Sequence, residues 1–322
     1  MGSSFIKYIL KTHPDWQVVN LDKLTYAGNL DNLKEVENHK NYKFVKGDIA
    51  ERGDVEKAIG DGVDKIFNYS AETHVDRSIL EPEAFIKTDI FGTFTLLEAA
   101  REYDVAQYIQ ISTDEVFGSI EQGLFFEDSP FAPNSPYAAS KAGADLLCRS
   151  YFKTYNLPVI VTHSCNFYGP NQYPEKLIPL FITNLLENKK IPVYGKGNQV
   201  REWIFVEDHC RAIDLIAQKS EAGEVYNIGT GHSKENIETA IFILDELGFG
   251  EEMIEYVKDR PGHDFRYALN SEKLRRLGWD PLLSWEEGLR RTIKWYQENR
   301  EWWQKIKSGE YLEYYKKQYA QK

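Results

Sequence analysis

Short β-branched runs alternate with amphipathic stretches through the first half of the chain, and this constrains the fold more than any other feature. Strands that each hand over to a helix build a parallel sheet with helices on its faces. Runs at 17–22, 42–46, 65–70 and 106–112 read as strands, with 158–162 as a fifth. The stretches 29–37, 54–59, 83–102 and 136–155 read as helices. In the third, Ile86, Ile90, Phe94 and Leu97 recur at i, i+4, i+8 and i+11, one apolar stripe. The fourth opens on Ser135, a capping residue, followed by Pro136, whose missing N–H costs nothing at the first helical position. The spacing predicts an α/β chain with a doubly wound parallel sheet. Beyond residue 165 the character changes. Gly and Pro are dense over 169–197 and 229–262, with shorter helices between, which reads as a smaller substrate-binding domain over the carboxyl edge of the sheet. The division expected is 1–165 plus 204–232 for the first domain, and 166–203 plus 233–322 for the second. Trp285, Leu289, Ile293 and Tyr296 form a last helical stripe, and the tail to Lys322 is rich in Tyr, Trp and Lys that read as packing.

Charge and apolar runs exclude several classes of partner. The chain has 39 Lys and Arg against 50 Asp and Glu, net −11, with no basic run of five. That leaves no electrostatic footprint for nucleic acid or an anionic membrane. No apolar run approaches the roughly 20 residues a spanning helix needs. The first eight residues lack a basic region followed by an apolar core, so a cytoplasmic protein is expected. Cys148, Cys165 and Cys210 are odd in number and never in a CxxC pair, which points to buried thiols and to neither a disulfide framework nor a metal site.

A dinucleotide-binding fold opens with a strand and a Gly-rich turn, and its second strand ends in an acid that binds the adenosine ribose. Val18-Val19-Asn20-Leu21-Asp22 supplies such a strand and acid, about 20 residues beyond Gly2. Met1 and Gly2 lead directly into a helical pattern (Phe5, Tyr8, Ile9). The expectation is that the chain begins inside the turn, with Gly2 as the last fingerprint glycine. The strand central to the sheet is then absent, leaving two inner strand edges and few pyrophosphate-cradling amides. An isolated Asp after a strand also reads as an ordinary turn residue.

The strongest internal signal is Tyr137-Ala138-Ala139-Ser140-Lys141 at a helix start, where i and i+4 share a face. An ammonium beside the phenol favours the phenolate and lowers its pKa toward that of a useful base. Alone, the pair also reads as helix surface. It gains force from Ser112-Thr113-Asp114-Glu115-Val116-Phe117-Gly118, which follows a strand and so lies at the carboxyl edge where doubly wound sheets place ligands. Two adjacent acids there are costly to desolvate without a task, the alternative being a solvated turn.

Together with those motifs, 22–30 (Asp-Lys-Leu-Thr-Tyr-Ala-Gly-Asn-Leu), 71–78 (Ala-Glu-Thr-His-Val-Asp-Arg-Ser), Tyr168-Gly169-Pro170, 175–179 (Glu-Lys-Leu-Ile-Pro) and 260–264 (Arg-Pro-Gly-His-Asp) resemble the dTDP-glucose 4,6-dehydratase family of extended short-chain dehydrogenase/reductases. The resemblance covers nearly the whole chain, with the motifs in family order. It implies a Rossmann-like fold, tightly held NAD, a nucleotide-sugar substrate and a redox-neutral reaction. Tyr137, with Lys141 and Thr113, takes the proton of the sugar 4-hydroxyl while hydride leaves C4 for the nicotinamide. Glu115 removes the C5 proton, Asp114 protonates the departing 6-hydroxyl, and hydride returns to C6, giving a 4-keto-6-deoxy sugar. Neighbouring carboxyls push their pKa values apart, as one acid and one base require. The same matching assigns Gly2, Asp22, Lys23, Thr25, Asp48, Ile49, Ala71, Glu72 and Thr88 to the cofactor, with Tyr137 and Lys141. To the nucleotide sugar it assigns His74, Arg77, Thr113, Asn166, Glu175, Lys176, Leu177, Arg201, Asn227, Arg260 and His263. It further implies a homodimer joined through helices 83–102 and 136–155 as a four-helix bundle, and a place in deoxysugar biosynthesis such as that of rhamnose. Three positions depart from the family pattern: His163 where Arg is common, Phe167 in place of the second Asn of Asn-Asn-Tyr-Gly-Pro, and Asp89 where Asn is usual. Alternatives from the sequence are a related nucleotide-sugar epimerase or decarboxylase, or a form unable to retain NAD. The acid pair argues for elimination.

Overall fold

The computed structural model describes residues 1–260, 262–308 and 311. Pro261 and most of the aromatic tail (309–310 and 312–322) lie outside the described residues. In chain order the strands are β1 (Val18–Asp22), β2 (Tyr42–Lys46), β3 (Lys65–Asn68), β4 (Gln107–Thr113), β5 (Val159–Ser164), β6 (Asn166–Tyr168), β7 (Ile191–Tyr194), β8 (Val200–Phe205), β9 (Val225–Ile228), β10 (Ser233–Glu235) and β11 (Ile254–Val257). All five strands expected in the first half are present.

The main sheet is parallel and divided. One block runs β3-β4-β5-β9 and the other is the pair β1-β2, with no ladder between β1 and β3 among the described residues. The two inner strand edges anticipated from the sequence are therefore present. Side chains of β4 and β5 alternate between two buried faces, as a strand period of two dictates. Ile109, Ile111 and Ile160 pack with Phe5 and Ile9 of the helix Gly2–Thr12 and with Ile213 and Ile216 of the helix Val206–Lys219. Tyr108, Val159 and Val161 pack on the other side with Val55, Ile59, Leu96, Leu97 and Cys148. A further core joins Ile178 and Phe181 of the helix Leu177–Leu186 to Ile243 and Leu244 of the helix Asn236–Leu247. The predicted stripe Trp285, Leu289, Ile293 and Tyr296 closes that core from the helix Trp285–Glu298. The register Ser112 with His163 and Thr113 with Ser164 places Thr113 at the carboxyl edge.

Two helix expectations are corrected. The stretch 29–37 forms only a 3₁₀ turn, Leu30–Leu33, with Asn29 accepting from the Asp31 N–H. Leu33 is its one buried residue, so no apolar stripe drives a full helix there. The stretch 83–102 is not one uniform helix: a turn Pro82–Phe85 leads into a π-helical segment Ile86–Gly92 and then the helix Thr93–Glu102. The wider π turns rotate the stripe, so Leu97 is fully buried while Ile86 and Phe94 are exposed.

Candidate active site

The acid pair is positioned by the end of β4. Thr113 caps the 3₁₀ turn Asp114–Phe117, its hydroxyl accepting from the Glu115 N–H (3.3 Å) and donating to Asp114 Oδ1 (3.2 Å). Asp114 is buried and its Oδ2 has no hydrogen-bond partner. Burial, followed by the Glu115 and Glu202 carboxylates, raises its pKa well above the ordinary range, with Arg201 and the Thr113 hydrogen bond opposing, and so favours its protonated form. Burial also raises Glu115, but Arg260, Arg201 and Lys176 oppose that shift. Burial raises both adjacent carboxyls, but three cations oppose the shift at Glu115, while at Asp114 the opposing cation is Arg201.

Tyr137 and Lys141 occupy the start of the helix Pro136–Tyr155, which Ser135 caps by accepting from the Ala138 N–H (3.1 Å). Both side chains are buried. Lys141 Nζ donates to the Ile111 carbonyl (2.7 Å), and the Tyr137 phenol is held well above its ordinary pKa by burial and then by Glu115 and Asp89, with a Thr113 hydrogen bond opposing.

A cavity of about 1220 Å³ runs from between β1 and β3 to this acid pair. It is lined by Gly2, Asp22, Lys23, Thr25, Asp48, Ile49, Ala71, Glu72, Thr88, Tyr137 and Lys141, and beyond them by Thr113, Asp114, Glu115, Asn166, Lys176 and Leu177. Asp22, at the end of β1, accepts from the Leu24 N–H (2.7 Å), and Lys23 pairs with Asp48 (2.7 Å). Tyr69 Oη and Asn166 Nδ2 are buried without partners on the cavity wall, so the pocket holds unsatisfied polar atoms suited to a polar ligand. Gly2 opens the helix Gly2–Thr12 with Tyr69 at ordinary van der Waals distance, 3.6 Å from where a Cβ would stand.

The remaining substrate candidates fall into two groups. Arg77 pairs with Glu175 (3.0 Å) and stacks 3.8 Å over the Tyr26 ring. Arg260 reaches Asp76 (3.4 Å), His263 Nδ1 reaches Asp259 (2.6 Å), and buried His74 lies 4.0 Å from Asp76. Arg201 lies over the Tyr267 ring (4.5 Å) and, with Arg260, contributes positive charge at Glu115. Asn227 is buried in β9, where its amide donates to the Phe125 carbonyl (3.0 Å) and its N–H donates to Glu127, and like Arg77, Glu175, His74, Arg201, Arg260 and His263 it does not line the cavity itself. Its sequence signal, an Asn before Ile-Gly-Thr-Gly, marked a strand end instead.

Two residues went unassigned in the sequence. Asp89, noted there only as a departure, joins the cofactor wall to the Tyr137 helix: it accepts from the Glu72 N–H (3.2 Å) and from Ser140 Oγ (2.6 Å). Asn236, at the start of its helix and next to the strand that pairs with Arg201, is buried with Oδ1 unpartnered. Its only sequence signal is its helix-start position. Of the other departures, buried His163 lies against the Phe117 and Phe131 rings and 3.3 Å from Asp145, which accepts from Ser112 Oγ (2.6 Å). Phe167 packs edge-on against His209.

Residues 1–292 match the family model described as GDP-mannose 4,6 dehydratase. The chain is 50% identical, over 92% of its length and 95% of the relative's, to the low-salt glycan biosynthesis protein Agl12 of Haloferax volcanii. It is 48% identical to a dTDP-glucose 4,6-dehydratase of Streptomyces niveus, over 96% of this chain and 93% of the other. The crystal structure of DesIV, a dTDP-glucose 4,6-dehydratase from Streptomyces venezuelae solved with NAD bound, superposes with a TM-score of 0.93 at 48% identity, over 95% of this chain and 96% of that one. The fold is therefore the Rossmann-like α/β fold of NAD-dependent nucleotide-sugar enzymes. The chain belongs to the 4,6-dehydratase family, in its dTDP-glucose branch, and is an NAD-dependent hydro-lyase.

Proposed function

We propose that the chain converts dTDP-glucose to its 4-keto-6-deoxy product with the residues described above. The observation that carries this reading is the contrast within the acid pair. Burial and the neighbouring carboxylates favour the protonated form of Asp114, which suits it to give a proton to the departing 6-hydroxyl. Glu115 faces Arg260, Arg201 and Lys176, which favour its carboxylate and suit it to accept the C5 proton. Tyr137, hydrogen-bonded to Thr113, takes the proton of the 4-hydroxyl. Asp22, Lys23, Thr25, Asp48, Ile49, Ala71, Glu72 and Thr88 hold the cofactor along the cavity wall. Bound NAD supplies the hydride acceptor and donor, and a positive charge in the same cavity that favours the Tyr137 phenolate. Lys176, Leu177, Asn166, Arg201 and Arg260, with Arg77, Glu175, His74 and His263 behind them, surround the nucleotide sugar. Arginine forks suit its diphosphate.

The two-domain division given above fits this arrangement, with the cavity between the strand ends and the segments that follow β5. A homodimer through the helical segments 82–102 and 136–155 is supported by their exposed Ile86, Phe91, Phe94, Leu146 and Tyr155. The three cysteines are free and buried, which suits a reducing, cytoplasmic setting. No described helix is long and apolar enough to cross a membrane, and the described residues contain no cluster suited to a metal.

Glu115→Gln tests the assignment. The variant is expected to oxidise C4, seen as a transient reduced-nicotinamide absorbance, yet to leave the C5 proton in place with no water lost. Normal deuterium incorporation at C5 from heavy water removes Glu115 from the role.

A further inference from the structure

Glu115 takes a proton in the proposed reaction, and the structure shows a path by which that proton can leave. The Tyr267 hydroxyl lies 2.6 Å from Asp264 Oδ2 and 3.4 Å from Glu115 Oε2. A phenol has one O–H, and the shorter contact takes it. Its proton therefore points at Asp264, and its lone pairs are left for Glu115, where they can accept from a protonated carboxyl but offer nothing to a carboxylate. The other Asp264 oxygen accepts from Asn134 Nδ2 (2.6 Å), and Asn134 is exposed. Tyr267 and Asp264 are both buried. Arg201 lies over the Tyr267 ring, while its Nη2 donates to the Asp264 backbone carbonyl (3.0 Å).

We propose that Glu115, Tyr267 and Asp264 form a proton relay through which the C5 proton exchanges with solvent, with Tyr267 a positioning residue that acts through Glu115. After Glu115 has taken the C5 proton, it passes a proton to Tyr267 Oη as the Tyr267 O–H proton moves to Asp264. One O–H bond breaks and one forms at the phenol, which stays neutral throughout, and the net change is a proton moved from Glu115 to Asp264. From Asp264, which keeps a 7% exposed edge beside Asn134, it passes to water, and the Asn134 amide, a donor to the other carboxyl oxygen, takes no proton. Reversal carries a solvent proton back to Glu115 for delivery to C5. Burial and the flanking Glu115 carboxylate raise the phenol's pKa, with Arg201 opposing, which disfavours a phenolate and suits a transfer in which both protons move together.

The relay rests on the dehydratase reading and is tested by isotope partition in a single turnover of the NAD-loaded enzyme with dTDP-glucose in heavy water. The wild type is expected to place deuterium at C5. Tyr267→Phe is expected still to lose water but to return the original proton, with C5 deuterium lowered about fivefold or more. Asp264→Asn, a milder change of shape, is expected to do the same and guards against misfolding of the first variant. A merely structural role slows turnover without altering which isotope returns. Wild-type deuterium at C5 in both variants overturns the relay while leaving the reaction intact. A wild type that loses no water overturns the dehydratase reading itself.

Discussion

Asp89 shows how a single buried carboxyl links stability to pH in this site. Burial raises its pKa from 3.8 to about 6, opposed by Lys141 and by the Ser140 and Glu72 hydrogen bonds. Between those values the folded chain holds a proton that the unfolded chain has released. The contribution therefore favours folding below the ordinary carboxyl range and is lost as pH rises through about 6. At roughly 1.4 kcal/mol per unit, the charged form costs about 2–3 kcal/mol above that pH. An Asn keeps one acceptor for the Glu72 N–H and can donate to Ser140 Oγ, whose own proton also reaches the Tyr137 carbonyl (2.8 Å). Asp89→Asn is expected to be more stable than the wild type by about 2 kcal/mol at pH 8 and nearly equal at pH 4. Denaturant unfolding at both values checks this, and equal stability at pH 8 contradicts it. The carboxylate also raises the Tyr137 phenol, so the same variant is expected to shift the alkaline use of that base. Sequence could place Asp89 on a helix but not against Ser140, because that contact depends on how two helices cross.

The elements that sequence read well are those whose burial is periodic. β4 and β5 are covered on both faces, and each reads as a short run rich in β-branched residues. The helix Pro136–Tyr155 announces itself with Ser135 and Pro136. Elements held by loops or by distant partners were not legible: β6, β8 and β10 form a short mixed sheet whose pairing is set by tertiary contacts. The stripe over 83–102 was read at the α period, and the π segment broke it. That break has a consequence for assembly. Ile86, Phe91 and Phe94 of this segment are exposed, as are Leu146 and Tyr155 of the helix Pro136–Tyr155. Replacing Phe94 and Leu146 by Lys is expected to convert a dimer to a monomer in light scattering at micromolar concentration. A wild type that is already strictly monomeric contradicts the proposed bundle.

At the scale of the molecule, one cavity unites residues that the sequence scatters from Gly2 to Leu177. The parallel order β3-β4-β5-β9 brings Thr113, Asp114 and Glu115 to the same edge as Asn166, and the helix start behind them supplies Tyr137 and Lys141. The motifs for these groups were legible because each sits at a strand end or a helix start, where local pattern and global position coincide. Asn227 is assigned by the family resemblance alone, and its own pattern, a strand ending in a turn, matches its place in β9. The reaction assigned here removes one water from an unlabelled hexose and leaves one solvent hydrogen at C5. The most direct test incubates the chain, NAD and dTDP-glucose in heavy water and reads the product by mass and by the site of the label. Loss of one water with a single deuterium at C5 is the predicted result; a product of unchanged composition, as an epimerase gives, contradicts it.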